Sequence, residues 1–261
     1  MFLFLIGAGI LGLLIGSFLN VVIVRIPRMM DLPEENLIFP ASHCLACQTP
    51  IAWFHNIPIF SFLWLKGRCH HCDQKISLRY PLVELLTLVL SVIVAMRFGF
   101  TVTTIGGLLL TWALIALAFI DGEHTILPDT ITLPFLWLGL LFNTTEIFAT
   151  PTNAIIGASA GYFSLFIVFW IFKWITKKEG LGYGDFKLLA MLGAWLGWQA
   201  LPMIILVSSL LGSIVGISLI VLHKQDKNVP IPFGPFLAIA GFASLLWGTQ
   251  LNLLYFKLFV L

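Results

Sequence analysis

Charge is scarce in this chain of 261 residues. Lys and Arg number 14 and Asp and Glu 12, together 10% of the sequence, where soluble domains carry about 25%. With 59% apolar residues and a mean hydropathy of +1.02, this shortage excludes a soluble globular domain and points to an integral membrane protein. Basic residues are also missing from the start of the chain, where Arg25 and Arg28 follow the first apolar run. A cleaved signal peptide carries its charge ahead of that run, so the segment is read as a retained helix with its N-terminus outside. Cysteine is limited to four positions, all in one polar stretch.

What the chain has in quantity is apolar sequence, in lengths suited to crossing about 30 Å of hydrocarbon. Eight such segments are read, at about 3–23, 81–96, 102–120, 131–148, 153–174, 186–198, 200–222 and 233–256. The sixth is short and meets the seventh at a turn of Gly197, Trp198 and Gln199. The expectation is an all-α polytopic membrane protein of about eight transmembrane helices, with a small cytoplasmic zinc-ribbon-like domain inserted after the first. Its parts are the first helix (1–23), a four-cysteine domain (24–80) and a membrane domain of seven further helices (81–261).

Threading eight spans from an outside N-terminus puts Arg25, Arg28, Lys66, Arg68, Lys75, Arg79, Lys173, Lys177, Lys178, Lys187, Lys224 and Lys227 on one face. Only Arg97 and Lys257 fall on the other. Basic residues favour the cytoplasmic side, so that face is cytoplasmic. Topology therefore accounts for the basic residues, and the net charge of +2 calls for no nucleic-acid partner.

The region 24–80 is too polar and too proline-punctuated to lie in lipid. It holds Cys44 and Cys47 in one CxxC element and Cys69 and Cys72 in another, with 21 residues between them. Each such turn presents two thiolates, and two turns complete the tetrahedron of a structural zinc site. In a reducing compartment thiols bind metal more readily than they pair as disulfides. Four cysteines fill the coordination sphere, which argues against a catalytic zinc, and His43, His55, His70 and His71 are read as solvated.

Ionisable residues at the membrane edge are costly and mark function by default. Asp121 follows the run TWALIALAFI, and Asp185 precedes FKLLAMLGAWLG. Both fall at cytoplasmic helix ends and are expected to face one another. Two adjacent carboxylates share a proton, giving a general base and a general acid, which is aspartic-protease chemistry. Helix polarity assigns Asp185 as the base and Asp121 as the acid. Gly180, Gly182 and Gly184 are expected to allow turns with φ > 0 and close backbone approach. Asp129 follows Pro128 and is read as the N-cap of the fourth helix. Glu84 is read as a buried partner of Arg79 or of the small domain, and Asn20 as a helix-packing amide. The loop from Asp121 to Asp129 carries Asp121, Glu123 and Asp129 but no Lys or Arg, an acidic mouth suited to a basic peptide.

These elements occur together in a known arrangement. GSFLNVVIVRIP at the first helix end, the CxxC pair with KGRCHHC, then ISLRYPLVELLT, FIDGEHTILPDTITLPFLWLGL, and GLGYGDFKLLAMLGAWLGW with its GxGD element Gly182-Tyr183-Gly184-Asp185 resemble, in this order, the bacterial aspartic prepilin peptidases. The resemblance implies cleavage of the short basic leader from type IV prepilins or type II secretion pseudopilins at the cytoplasmic face of the inner membrane. It implies Asp121 and Asp185 as the catalytic pair, with Asp129 outside that role. Because the four-cysteine domain is intact, it also implies N-methylation of the new terminus with S-adenosylmethionine, although no Gly-rich dinucleotide fingerprint locates that donor.

Two other classes fit some of the same features. An ion-coupled transporter or proton channel also uses membrane carboxylates, but it usually sets them near the midplane within paired repeats. A secretion-system scaffold docking through the zinc domain would tolerate loss of both aspartates.

Overall fold

The computed structural model describes residues 1–31, 36–39, 41–44, 46–178, 180–223 and 231–259. Lys224 and Lys227, counted on the basic face, lie outside the described residues. Among the described residues the fold is helical, with β-structure confined to two isolated bridges. The chain divides into two compact units, Met1–Thr104 and Ile105–Leu261.

The first unit is built on α1 (Phe2–Asp31) packed against α3 (Arg79–Phe98). Helix α1 continues two turns beyond the apolar segment expected at 3–23, through Arg25 and Pro27. The apolar-to-polar change in sequence marks where lipid ends, whereas hydrogen bonding sets where the helix ends. Between these helices lie a 3₁₀ turn, Trp53–Asn56, the short α2 (Phe60–Trp64) and two cysteine hairpins.

The second unit contains α5 (Asp129–Asn143), α6 (Pro151–Thr176), α7 (Tyr183–Leu196), α8 (Leu201–His223) and α9 (Gly234–Phe259), together with nearly all of α4 (Val102–His124). Helix α7 is apolar on every side because it is enclosed: it packs against α5, α6 and α9, and Phe186 and every residue from Leu188 to Trp195 are buried. An α-helix apolar all round belongs in a protein interior or in lipid, and here it lies in the interior. Gly157 of α6 meets Gly193 of α7 backbone to backbone, a small-residue contact of the kind that lets membrane helices approach closely.

Each of the eight expected apolar segments is helical, but six of the helices, α1, α3, α4, α6, α8 and α9, are long and apolar enough to cross a membrane. Helix α5 has 15 residues and α7 has 14, about 22 Å at 1.5 Å per residue, short of a bilayer core. The expected segment 131–148 ends early because the Asn143 carboxamide oxygen accepts the amides of Phe148 and Ala149, turning the chain back. Gly197, at φ +79, makes the expected tight turn into α8.

Candidate active site and metal centre

Asp121 lies one turn before the end of α4, and Asp185 is the third residue of α7. Both are 5% exposed. One oxygen of each is held by a backbone amide: Asp185 Oδ2 accepts the Gly182 N–H at 3.0 Å, and Asp121 Oδ2 accepts the Gly234 N–H at 2.8 Å. Gly234 opens α9, so Asp121, although near the C-terminus of its own helix, also faces the positive end of another. Both carboxylates are thus opposed to helix N-termini, and the polarity expected to separate their roles is offset.

The glycines act through proximity. Gly182 has φ −81, and neither Gly180, Gly182 nor Gly184 adopts positive φ, contrary to expectation. A Cβ on Gly184 would lie 2.6 Å from Leu127 Cβ, so its hydrogen lets α7 approach the segment joining Asp121 to Asp129. That segment leaves α4 at Thr125, whose φ of +55 is costly for a β-branched residue. On the other side, a Cβ on Gly234 would stand 2.7 Å from Asp121 Oδ2. Gly234 was not singled out in the sequence; the signal was a Gly-Pro pair opening the last apolar segment.

Asp129 does not cap α5. Pro128 occupies the N-cap position without a side-chain cap, and the Asp129 carboxylate instead accepts both its hydrogen bonds from Lys187 Nζ at 2.7 Å. That exposed pair ties the start of α5 to the first turn of α7.

In the first unit the four cysteine sulfurs lie within 4.8 Å of one another, with Cys44 Sγ and Cys72 Sγ 3.8 Å apart. A tetrahedron of thiolates at about 2.3 Å from zinc has edges of about 3.8 Å, so the donor set fits such an ion. The sulfurs are brought together by two hairpins of the same design. Cys44 N–H donates to Thr49 O and Gln48 N–H to Cys44 O; Cys69 N–H donates to Gln74 O and Asp73 N–H to Cys69 O. Gln48 and Asp73 both turn at positive φ, +57 and +55, and each hairpin closes in a bridge, His43 to Pro50 and Arg68 to Lys75.

Amide and hydroxyl donors favour thiolate here. Thr49 holds Cys47 down to about 6 through its hydroxyl and its backbone amide, and the amides of His71 and Cys72 lower Cys69. Cys72, although the Gln74 amide favours its thiolate, is pushed up to about 12 by desolvation and the neighbouring sulfurs. Four thiolates cannot coexist without a cation among them.

Glu84 is buried, and its Oε2 accepts the Ile59 N–H at 2.7 Å; the contact formed is the one to the small domain. Asn20 packs α1 to α3 as expected, its amide donating to Gly16 O and Tyr80 O.

Two family models match the chain: the Bacterial Peptidase A24 N-terminal domain over residues 10–98 and the Type IV leader peptidase family over residues 108–217. The chain is 52% identical to a prepilin leader peptidase/N-methyltransferase of Aeromonas hydrophila, with 95% of this chain and 92% of that protein covered. It is 50% identical to the protein of that name from Pseudomonas aeruginosa, with the same coverage, and 47% identical to one from Pseudomonas putida, with 94% and 91% covered. No solved structure matches.

Proposed function

The chain belongs to the type IV leader peptidase family, and from that premise we propose that it removes the leader of prepilins and N-methylates the new terminus. The observation that carries the peptidase reading is the pair of 5% exposed carboxylates, Asp121 and Asp185, each held by one backbone amide at the end of a different helix. The pair holds one proton between them, and that proton belongs to the dyad rather than to either residue. The ionised member takes a proton from water as the water oxygen attacks the scissile carbonyl. The protonated member gives its proton to the amide nitrogen as the C–N bond breaks. Asp129, engaged by Lys187, has no part in this chemistry.

Eight helices cross or enter the inner membrane, α7 enclosed by its neighbours, with the N-terminus outside and the dyad toward the cytoplasm. The positive-inside distribution supports this orientation. It brings the dyad to the side where a prepilin's basic leader would wait, and the acidic segment 121–129 suits that leader. Cys44, Cys47, Cys69 and Cys72 would hold zinc, whose charge lets four thiolates coexist and fastens the two hairpins. S-adenosylmethionine supplies an electrophilic methyl group on a cationic sulfur.

The test is mass spectrometry of a purified prepilin after incubation with the solubilised enzyme. Wild type is expected to remove the leader and, with S-adenosylmethionine, to add about 14 Da, one CH₂, to the new terminus. Asp121→Asn and Asp185→Asn should each slow cleavage by about 10³-fold or more. Normal cleavage by both variants would defeat the dyad, and a wild type that leaves a competent prepilin uncut would return the scaffold and transporter readings.

A further inference from the structure

Helix α2 in the Met1–Thr104 unit is amphipathic in the wrong sense for a domain surrounded by water. Its inward residues are Ser61, whose hydroxyl accepts the Ile57 amide and donates to Phe54 O, and Phe62, whose ring lies against Gly67. Phe60, Leu63 and Trp64 share the opposite face at the i, i+3 and i+4 spacing of helix neighbours, and they are 68%, 66% and 86% exposed. An open apolar face of this kind, rimmed by polar residues, marks a contact with a membrane or another protein.

The fold also fixes the level at which this face stands. Ile59, the residue before α2, donates its amide to Glu84 Oε2 at 2.7 Å. It does so at φ +60 and ψ −48, a conformation a β-branched residue avoids, so tertiary contact rather than local preference positions α2. Glu84 lies five residues inside α3, about 7.5 Å from its start at 1.5 Å per residue, in a helix long and apolar enough to cross a membrane. Its neighbours Leu82 and Leu85 are exposed. The start of α2 is thus level with the first lipid-facing turns of α3 rather than above them.

We propose that α2 lies on the bilayer surface and seats Phe60, Leu63 and Trp64 among the lipids of the inner leaflet, anchoring the four-cysteine domain to the membrane. The inference rests on the membrane topology proposed above and on neither catalytic reading. Aromatic side chains suit the boundary between headgroups and acyl chains. From Phe60 to Arg68 the chain carries two exposed cations, Lys66 and Arg68, and no acid, which complements an anionic inner leaflet. A protein partner is less well matched. Three side chains of at most about 250 Å² each fall short of the about 800 Å² that a standard protein interface takes from one partner.

The test places the full-length protein in nanodiscs of phosphatidylglycerol and phosphatidylcholine that contain a phospholipid with a diazirine near its glycerol backbone. After irradiation, labelled peptides are mapped by mass spectrometry. In wild type, label is expected within residues 60–64 as well as in α1 and α3. Phe60→Gln, Leu63→Gln and Trp64→Gln combined should lower the label at 60–64 by more than about tenfold and speed tryptic cleavage at Lys66 and Arg68. Unchanged label in α1 and α3 establishes that this variant is inserted normally. Wild-type label in α1 and α3 with none at 60–64 would overturn the anchor while leaving the topology intact. Crosslinks from Lys66 to a second copy, with 60–64 unlabelled, would overturn it in favour of a protein contact. An absence of label from α1 and α3 would overturn the topology as well.

Discussion

Gly234 meets the proposed dyad at its tightest point. It donates its amide to Asp121 Oδ2, and a methyl group in place of its hydrogen would stand 2.7 Å from that same oxygen. Gly234→Ala is therefore expected to displace the carboxylate and lower kcat for leader cleavage by about 10–100-fold, with little change in melting temperature; assays of purified variant against prepilin read both. Gly184→Val should do the same through Leu127. Asp129 offers the opposite case. Its ion pair with Lys187 joins side chains 53% and 30% exposed, and pairs of that kind contribute about 0–1 kcal/mol. Asp129→Asn is expected to retain cleavage within about threefold of wild type, and a loss as deep as that of Asp185→Asn would make it a member of the catalytic set. In the sequence Asp121 and Asp185 stand out because apolar surroundings make a lone acid conspicuous. Gly234 does not, because a glycine at a helix start has many ordinary reasons to be there, and its contact spans 113 positions in the chain.

Among the elements, α7 has the most demanding environment. It is buried along nearly its whole length, and its C-terminal carbonyls, at Ala194 and Trp195, are capped by the Asn143 amide of α5, while Trp195 Nε1 donates to Phe135 O. Asn143→Leu would strand those carbonyls and the amides of Phe148 and Ala149 together. A loss of about 2–3 kcal/mol is expected, visible as a fall in melting temperature of the solubilised protein; an unchanged melting point would mean water replaces the side chain. The cysteine hairpins are the second self-contained element. One zinc per chain is expected by elemental analysis, and Cys69→Ser or prolonged chelation should remove it and loosen the 41–78 region to limited proteolysis. The CxxC spacing made the metal reading available from sequence. The matching amide bonds and left-handed turns of the two hairpins were not, since Gln48 and Asp73 carry no glycine to announce a positive φ.

At the scale of the whole molecule, length alone supports six membrane helices, while α7 relies on the protein around it and the short α5 keeps an apolar face, with Trp137 and Leu141, exposed. A helix enclosed by other helices need not match the bilayer thickness, because its ends meet protein. Single cysteines introduced into a variant lacking the native four test the eight-span topology. One at residue 146 should label only from the periplasmic side and one at residue 178 only from the cytoplasmic side; labelling of both from one side would remove a crossing.

Composition and order along the chain determined the solvent of this protein, the positions of its apolar helices, the rare acids and the cysteine pairs, because each is a property of local sequence against lipid or water. The tertiary structure decided which of those helices is interior and which glycine stands against which carboxylate. Those outcomes depend on groups far apart in the chain coming within a few ångströms, a distance that no local pattern encodes.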